Sequence, residues 1–422
     1  VALIVQKYGG SSVANPDRIK RVAERVCRTR KAGHQVVVVV SALGDTTDEL
    51  LMLADQVSAD PPEREMDMLL ATGEQVSSAL LAMATDALGV KAISFTGAQV
   101  GIITDRAHTR AKIQDISAQK IRQAIAKGYV VIVAGFQGMT PDHEITTLGR
   151  GGSDLTAVAL SSALKARVCE IYTDVEGVYT ADPRIVPNAR KLSFISYDEM
   201  LELASLGAQV MQARSMEVAK KYEVKLHLRS SFSRRTGTII SKEVKPMEQL
   251  VVSGVTVQKD EAKVTLCDVP DRPGIAATIF TRISDANVNV DMIVQNVSRT
   301  GLTDVSFTVS RSDLRKVLQS ARRVAREVKA GRVIHDDGIA KVSVVGLGMR
   351  SHSGIAAKMF KTLAKESINI GMISTSEIKI SCIIRKDQAV KAVRALHDAF
   401  ELGKLGVKPV QETLVKARKQ KR

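Results

Sequence analysis

Tryptophan is absent from this 422-residue chain, and aromatic residues make up only 3% of it. Nucleic-acid binders that stack bases need aromatic platforms, so that class is disfavoured despite a formal charge of +16. The positive charge is diffuse except in Lys416–Arg422 and Arg311–Arg332, and solvated helix faces with anionic small ligands explain it more simply. Cysteine is scarce and scattered: Cys27, Cys169, Cys267 and Cys382 form no Cys-x-x-Cys pair, and no histidine stands at metal-ligand spacing. Reduced, mostly buried thiols and no protein-built metal site are expected. No apolar run approaches membrane-spanning length, and no basic segment leads into an apolar core at the start. A cytoplasmic protein with no nucleic-acid or membrane partner is the expectation. Also missing are a Walker loop and the third glycine of a dinucleotide fingerprint, which excludes two common nucleotide folds by motif.

What the chain does have is an ordinary globular balance, 45% apolar and 25% charged, over a length that suits two or three domains. Up to Lys242 it alternates β-branched runs with helical segments. The strand candidates are Ala2–Gln6, Gln35–Ser41, Lys91–Thr96, Tyr129–Ala134, Val168–Thr173 and Val224–Arg229. Buried runs joined by helices require a mainly parallel sheet covered on both faces, and ligands of such folds bind at the carboxyl ends of the strands. Ser241–Gln249 reads as a linker. Beyond it Gly274-Ile275-Ala276-Ala277 returns as Gly354-Ile355-Ala356-Ala357, Asn289 as Asn369 and Met292-Ile293 as Met372-Ile373, about 80 residues apart. Each copy reads strand, loop, helix, strand, strand, helix, a small α+β unit with an antiparallel sheet.

Three clusters carry chemistry. Lys7-Tyr8-Gly9-Gly10-Ser11-Ser12 follows the first strand, so glycine amides and a lysine meet where an anion can approach. Thr146–Asp154 sets Gly151, Gly152 and Ser153 at a helix start beside the planar fork of Arg150; an ordinary cap by Ser153 or Asp154 is the plain alternative. Glu74 falls at the edge of the apolar stripe of a helix over Met66–Leu88, where an acid wants a cation. Ser41 and Thr47 flank the turn after the second strand. Thr173-Asp174 ends another strand and leads to Tyr179, Asp182 and Arg184, a ring and an anion-binding guanidinium.

The stretches KYGGSSV, VSALGDTTDEL, ATGEQVS, AGFQG, TTLGRGGSD and YTDVEGVYTADPRIVPNARKL, in this order, resemble those of aspartate kinases in the amino-acid kinase family. The doubled unit, with DRPGIAA, VDMIVQNVS, MRSHSGIAA and ISTSEI, resembles the paired ACT modules that regulate them. The resemblance implies an α/β kinase domain over 1–242, a linker and first regulatory strand over 243–262, ferredoxin-like ACT units over 263–340 and 341–410, and a basic tail over 411–422. It implies transfer of the γ-phosphoryl group of Mg-ATP to L-aspartate, the first step towards lysine, threonine and methionine. Lys7 and Asp154 become the catalytic pair. ATP would meet Lys7, Gly9, Gly10, Thr173, Asp174, Tyr179, Asp182 and Arg184, with Mg²⁺ held mainly by its phosphates. Aspartate would meet Ser41, Thr47, Glu74, Arg150, Gly151, Gly152 and Ser153.

Lysine and threonine are the implied effectors. Their residues would be Asp271, Gly274, Ile275, Ala276, Asn289, Asp291 and Gln295 in one unit and Ile355, Ala356, Asn369, Ile370, Ser376 and Glu377 in the other. Implied assemblies are a homodimer, or an α2β2 complex with a shorter regulatory chain, for which Met247 is a candidate internal start. Many relatives have lysine where this chain has Gln209 and proline where it has Ser353. The competing readings are a glutamate or acetylglutamate kinase of the same fold and a non-catalytic amino-acid sensor.

Overall fold

The computed structural model describes residues 1–205, 211–242, 252–296, 301–349 and 354–404. Gln209, Met247, Ser353, the linker residues 243–251 and the tail Lys416–Arg422 lie outside them. The chain forms two compact units, Val1–Val178 with Lys191–Met247, and Tyr179–Arg190 with Glu248–Arg422. No helix among the described residues is long and apolar enough to cross a membrane, and all four cysteines are buried and free.

In the first unit the strands are β1 (Leu3–Tyr8), β2 (Gln35–Val40), β3 (Ala92–Phe95), β4 (Ile102–Thr104), β5 (Ile113–Ile116), β6 (Val130–Ala134), β7 (Gln137–Met139), β8 (Ile145–Thr147), β9 (Val168–Thr173), β10 (Phe194–Ser196), β11 (Leu226–Ser230) and β12 (Thr238–Ser241). The helices are α1 (Pro16–Lys31), α2 (Thr46–Val57), α3 (Glu63–Asp86), α4 (Gln119–Ala126), α5 (Gly152–Ala163), α6 (Tyr197–Ser205) and α7 (Ala213–Lys221). Eight strands form the main sheet in the order β10-β12-β11-β9-β1-β2-β6-β3, and only the β11–β12 pair is antiparallel. All six strands expected from the sequence are in it.

Local chemistry sets these elements. Asn15 caps α1 by accepting from the Arg18 N–H at 3.0 Å, Pro16 opens the helix, and Arg28, Arg30 and Lys31 face its negative end. Its apolar face, Ile19, Val22, Ala23 and Val26, packs with Val36, Val38, Val40 and Tyr8 on one face of the sheet. Because side chains alternate along a strand, Lys7 emerges on the other face, where it meets α5. The sequence pattern did not register the second sheet, β5-β4-β7-β8. Its strands run only three or four residues, too short for a periodic signal.

The second unit holds the repeat. Copy one is β13 (Gly254–Pro270), α8 (Ile275–Asp285), β14 (Ile293–Gln295), β15 (Leu302–Ser310) and α9 (Leu314–Glu327); copy two is β16 (Arg332–Val345), α10 (Ile355–Lys365), β17 (Met372–Thr375), β18 (Lys379–Arg385) and α11 (Ala389–Ala399). They share one six-stranded sheet, β14-β15-β13-β16-β18-β17, joined by antiparallel β13–β16 pairing. Apolar side chains of α8 and α9 pack on Val264, Leu266, Val305 and Phe307, while those of α10 and α11 pack on Val342, Val344, Cys382 and Ile384. Each copy thus covers one face of its own strands with two helices.

Candidate active site

The carboxyl ends of β1, β2 and β9 gather the first unit's chemistry. Lys7 is the penultimate residue of β1, inside the strand rather than on the glycine turn, and its ammonium lies 2.6 Å from Asp154 Oδ1 with both side chains about 11% exposed. Asp154 stands in the first turn of α5, so the carboxylate also sits at the positive end of that helix. The cap is Gly151 in the left-handed region, φ 70°, with no side-chain cap bond. Neither Ser153 nor Asp154 caps the helix, which leaves Asp154 to hold Lys7.

The glycine turn is locked by contacts a side chain would break. A Cβ on Gly10 would lie 2.9 Å from the Ala42 carbonyl oxygen and 3.0 Å from that of Gly44, and the Gly10 carbonyl accepts the Gly44 N–H at 3.1 Å. Of the two amides expected to cradle phosphate, that of Gly9 already donates to the Tyr172 carbonyl at 3.2 Å. It fastens the turn to β9 instead. The Gly10 N–H opens a short 3-10 turn over Gly10–Ser12, where first-turn donors have no partner within the turn. Lys7 Nζ is 3.5 Å from where a Gly9 Cβ would stand, so charge and turn share one place.

Across the turn after β2, Glu74 is buried at 3% exposure in α3. Gly73 makes this possible, since a Cβ there would come within 2.8 Å of the Ala42 side chain. Glu74 Oε1 accepts the Ala42 N–H at 3.1 Å, and Oε2 is buried without a hydrogen bond. Burial pushes its pKa up to about 8, against smaller lowering effects of its backbone hydrogen bonds and of Lys7. Ser41 lies alongside: its N–H donates to the Tyr8 carbonyl at 3.1 Å, and its own carbonyl accepts from the Ser77 hydroxyl at 2.7 Å. Thr47 is the second residue of α2 and half-buried.

Arg150 is exposed between Gly149 at φ 76° and Gly151 at φ 70°, and no carboxylate of the described residues pairs with it. Gly152 and Ser153 are buried beside Phe136 and Gly135. At the end of β9 the Thr173 hydroxyl donates to Asp174 Oδ1 at 2.9 Å. Tyr179, Asp182 and Arg184, expected near them, belong to the second compact unit. There Ala181 and Val186 join the core of the second repeat copy, and the Arg184 guanidinium holds the Asp182 carboxyl below its usual range.

The expected effector residues fall at matching places of the two copies. Gly274 (φ 92°) and Gly354 (φ 97°) are the left-handed caps of α8 and α10, and Ile275 with Ala276 and Ile355 with Ala356 open those helices. Asp271 precedes α8; Asn289 and Asp291 precede β14, which ends at Gln295, while Asn369 and Ile370 precede β17 and Ser376 and Glu377 follow it. The Asp291 carboxylate pairs with the buried Lys341, which also donates to Glu261 Oε1 at 3.2 Å.

Several contributors escape the sequence pattern. Arg25 donates to the Ser230 and Ser231 carbonyls at 3.0 Å, and the Ser12 and Ser231 hydroxyls meet at 2.5 Å, tying the glycine turn to the loop after β11. Asp67, fully buried in α3, binds His108, Thr109 and Thr147. Its spacing of seven residues from Glu74 was the one available signal.

The amino acid kinase family model matches residues 2–230, and ACT domain models match 263–326 and 342–400. The chain is 53% identical to an aspartokinase of Mycolicibacterium smegmatis over 96% of this chain and 97% of the relative, and 55% identical to an aspartate kinase of Stutzerimonas stutzeri over 95% and 98%. Among solved structures, Escherichia coli aspartokinase III with lysine and aspartate in the T-state aligns at a TM-score of 0.74 and 25% identity, covering 94% of this chain and 99% of that one. The same protein with aspartate and ADP in the R-state aligns at 0.79 and 24%, with the same coverage, and shows the shared fold. With the buried Lys7–Asp154 pair in a unit built on a mainly parallel sheet and two ACT copies in the second unit, this chain belongs to the aspartokinases, kinases of the amino acid kinase family.

Proposed function

We propose that the chain converts ATP and L-aspartate to ADP and 4-phospho-L-aspartate, the first step towards lysine, threonine and methionine, under feedback by lysine, threonine or both at the ACT pair. A side-chain carboxylate oxygen of aspartate attacks the γ-phosphorus, the bond to the β–γ bridging oxygen breaks, and its electron pair leaves on ADP. No proton has to be removed. The obstacle is repulsion between two anions, so fixed positive charge matters more than a base. Lys7, held by Asp154, would carry that charge, and the Gly10 amide would meet the phosphoryl oxygens, with Thr173 and Asp174 on the nucleotide side. Tyr179, Asp182 and Arg184 stay proposed nucleotide contacts on the strength of motif resemblance. Among the described residues no group of three or more His, Cys, Asp or Glu could hold a metal ion. That donor set suits magnesium arriving on the nucleotide phosphates, where it would offset their charge.

The observation that carries the reading is Glu74, a buried carboxyl group with one oxygen unpartnered and no ion-pair partner among the described residues. The α-ammonium of a free amino acid supplies that cation, while Arg150 offers its fork to the α-carboxylate. An N-acetylated substrate lacks the ammonium, which argues against acetylglutamate. Lysine as effector draws support from the lysine complex of the E. coli relative; threonine rests on the resemblance alone. Edge strands β14 and β17 expose Ile293 and Ile373 at 52% and 44%, equivalent positions of the repeat, which favours assembly with another ACT pair in a homodimer or an α2β2 complex. A hydroxamate trap of the acyl phosphate, run with aspartate, glutamate and acetylglutamate with and without lysine and threonine, tests all of this. Product from aspartate alone, lowered by an effector, is expected; none from aspartate overturns the reading.

A further inference from the structure

We propose that Asp67 is a positioning residue for the amino-acid substrate, holding the Arg150 turn and the Glu74 helix in one register. The proposal rests on the reading of Glu74 and Arg150 as the groups that grip aspartate.

Asp67 has no exposed surface and no lysine or arginine ion-pair partner among the described residues. A buried carboxylate is costly unless donors satisfy its oxygens. Three do. His108 Nδ1 is 2.7 Å from Oδ2, the Thr109 N–H is 3.0 Å from both oxygens, and the Thr147 hydroxyl donates to Oδ1 at 2.5 Å. With the carboxylate as acceptor, His108 carries its proton on Nδ1, and its Nε2 faces Glu144 Oε2 at 3.6 Å.

The donors come from two segments that lead into the Arg150 turn. Thr147 ends β8, three residues before Arg150. The Ala107–Ala111 segment buttresses that turn: the Ala111 N–H donates to the Thr147 carbonyl at 2.9 Å, and the Thr109 carbonyl lies 3.2 Å from where a Gly149 Cβ would stand. On the acceptor side, Asp67 and Glu74 share α3 at a spacing of seven residues, two turns apart on one face. Two further bonds fix how α3 sits: the Gln137 side-chain amide donates to the Ala71 carbonyl at 2.8 Å, and the Ser77 hydroxyl to the Ser41 carbonyl at 2.7 Å. The Asp67 carboxylate therefore joins the element that bears one substrate-gripping charge to the segments that orient the other. None of its bonds reaches Lys7 or the glycine turn, so nucleotide binding should be spared.

The decisive comparison is Thr147→Val against Thr147→Ser, with Asp67→Asn as the stronger perturbation. Val keeps the shape and removes the donor; Ser keeps the donor. Expected are a rise in KM for aspartate of about tenfold in Thr147→Val and more in Asp67→Asn, kcat within about twofold, and an unchanged KM for ATP. Thr147→Ser should behave as wild type. Unchanged aspartate KM in Thr147→Val, or equal shifts in both KM values together with a lowered melting temperature, would overturn the positioning role. Glu74→Gln measured in parallel separates the two levels: if its aspartate KM is also unchanged, the substrate reading itself falls; if it rises while the Thr147 pair stays level, only the role of Asp67 does. Should Asp67→Asn fail to fold, the Thr147 pair decides alone.

Discussion

Glu74 in the kinase unit and Glu261 in the ACT unit are equally buried, each at 3% exposure, and burial raises the pKa of both. They differ in what faces them. Glu261 has Lys341 at 3.2 Å, itself 3% exposed and placed between Glu261 and Asp291. The two positions are 80 residues apart, the period of the repeat, so the copies carry opposite charges at equivalent places and neutralise each other across β13 and β16. Glu74 has one backbone N–H, and the nearby cation Lys7 is already committed to Asp154. A buried acid with its own cation holds structure together; one left without a cation marks where a charged ligand fits.

Four experiments break or sharpen that contrast. The largest effect is expected from Lys7→Ala, which removes the charge proposed to meet the phosphoryl group: turnover should fall by about 10³-fold. Because Asp154 is then buried and unpaired, the melting temperature falls too, and adding Asp154→Asn should restore melting but not turnover. If the double variant regained turnover, Lys7 would be structural only. Next, Lys341→Met strands Glu261 in the same way and should destabilise the ACT unit by about 3 kcal/mol, read by denaturant unfolding. Wild-type stability there would erase the distinction drawn from Glu261.

Third comes Glu74→Gln. The unfolded carboxyl titrates near 4.5 and the folded one at about 8, so between these values the folded state holds a proton that the unfolded state has lost, and stability falls as pH rises through the window. Glutamine removes that loss and can still accept from Ala42. Its melting temperature should therefore gain on wild type from pH 5 to 8, while the wild-type KM for aspartate falls over the same range as Glu74 ionises. A parallel pair of melting curves with no pH-dependent gap counts against the raised value. The smallest effect belongs to Gly274→Ala: φ is 92° and none of the described residues lies within 4 Å of the new Cβ, so the cost is conformational, about 1 kcal/mol, with kcat unaltered. Gly10→Ala, which drives a Cβ against two carbonyl oxygens, should exceed it clearly in both melting and activity.

Much of the fold could be read from local patterns. Runs such as Val36–Val40 and Val130–Ala134 announce buried parallel strands because every side chain is apolar. The repeat was equally plain, since Gly274 and Gly354 cap two equivalent helices. Less was legible at the site. Lys7 and Asp154 stood out by motif, but the commitment of the Gly9 amide to Tyr172, the cap at Gly151 and the membership of Tyr179–Arg190 in the second unit depend on neighbours more than a hundred residues away or on backbone angles.

By itself the sequence determined periodicity: which longer stretches are strands and helices, where the chain repeats, and which charged residues stand at strand ends. Those follow from side-chain spacing within one segment. Tertiary structure alone decided which charges are matched. His108 reaches Asp67 across 41 residues, Thr147 across 80, and Lys341 reaches Glu261 across 80, whereas Glu74 has no ion-pair partner among the described residues. Charge pairing in a low-dielectric interior depends on distances of a few ångströms in space, and no local pattern encodes those.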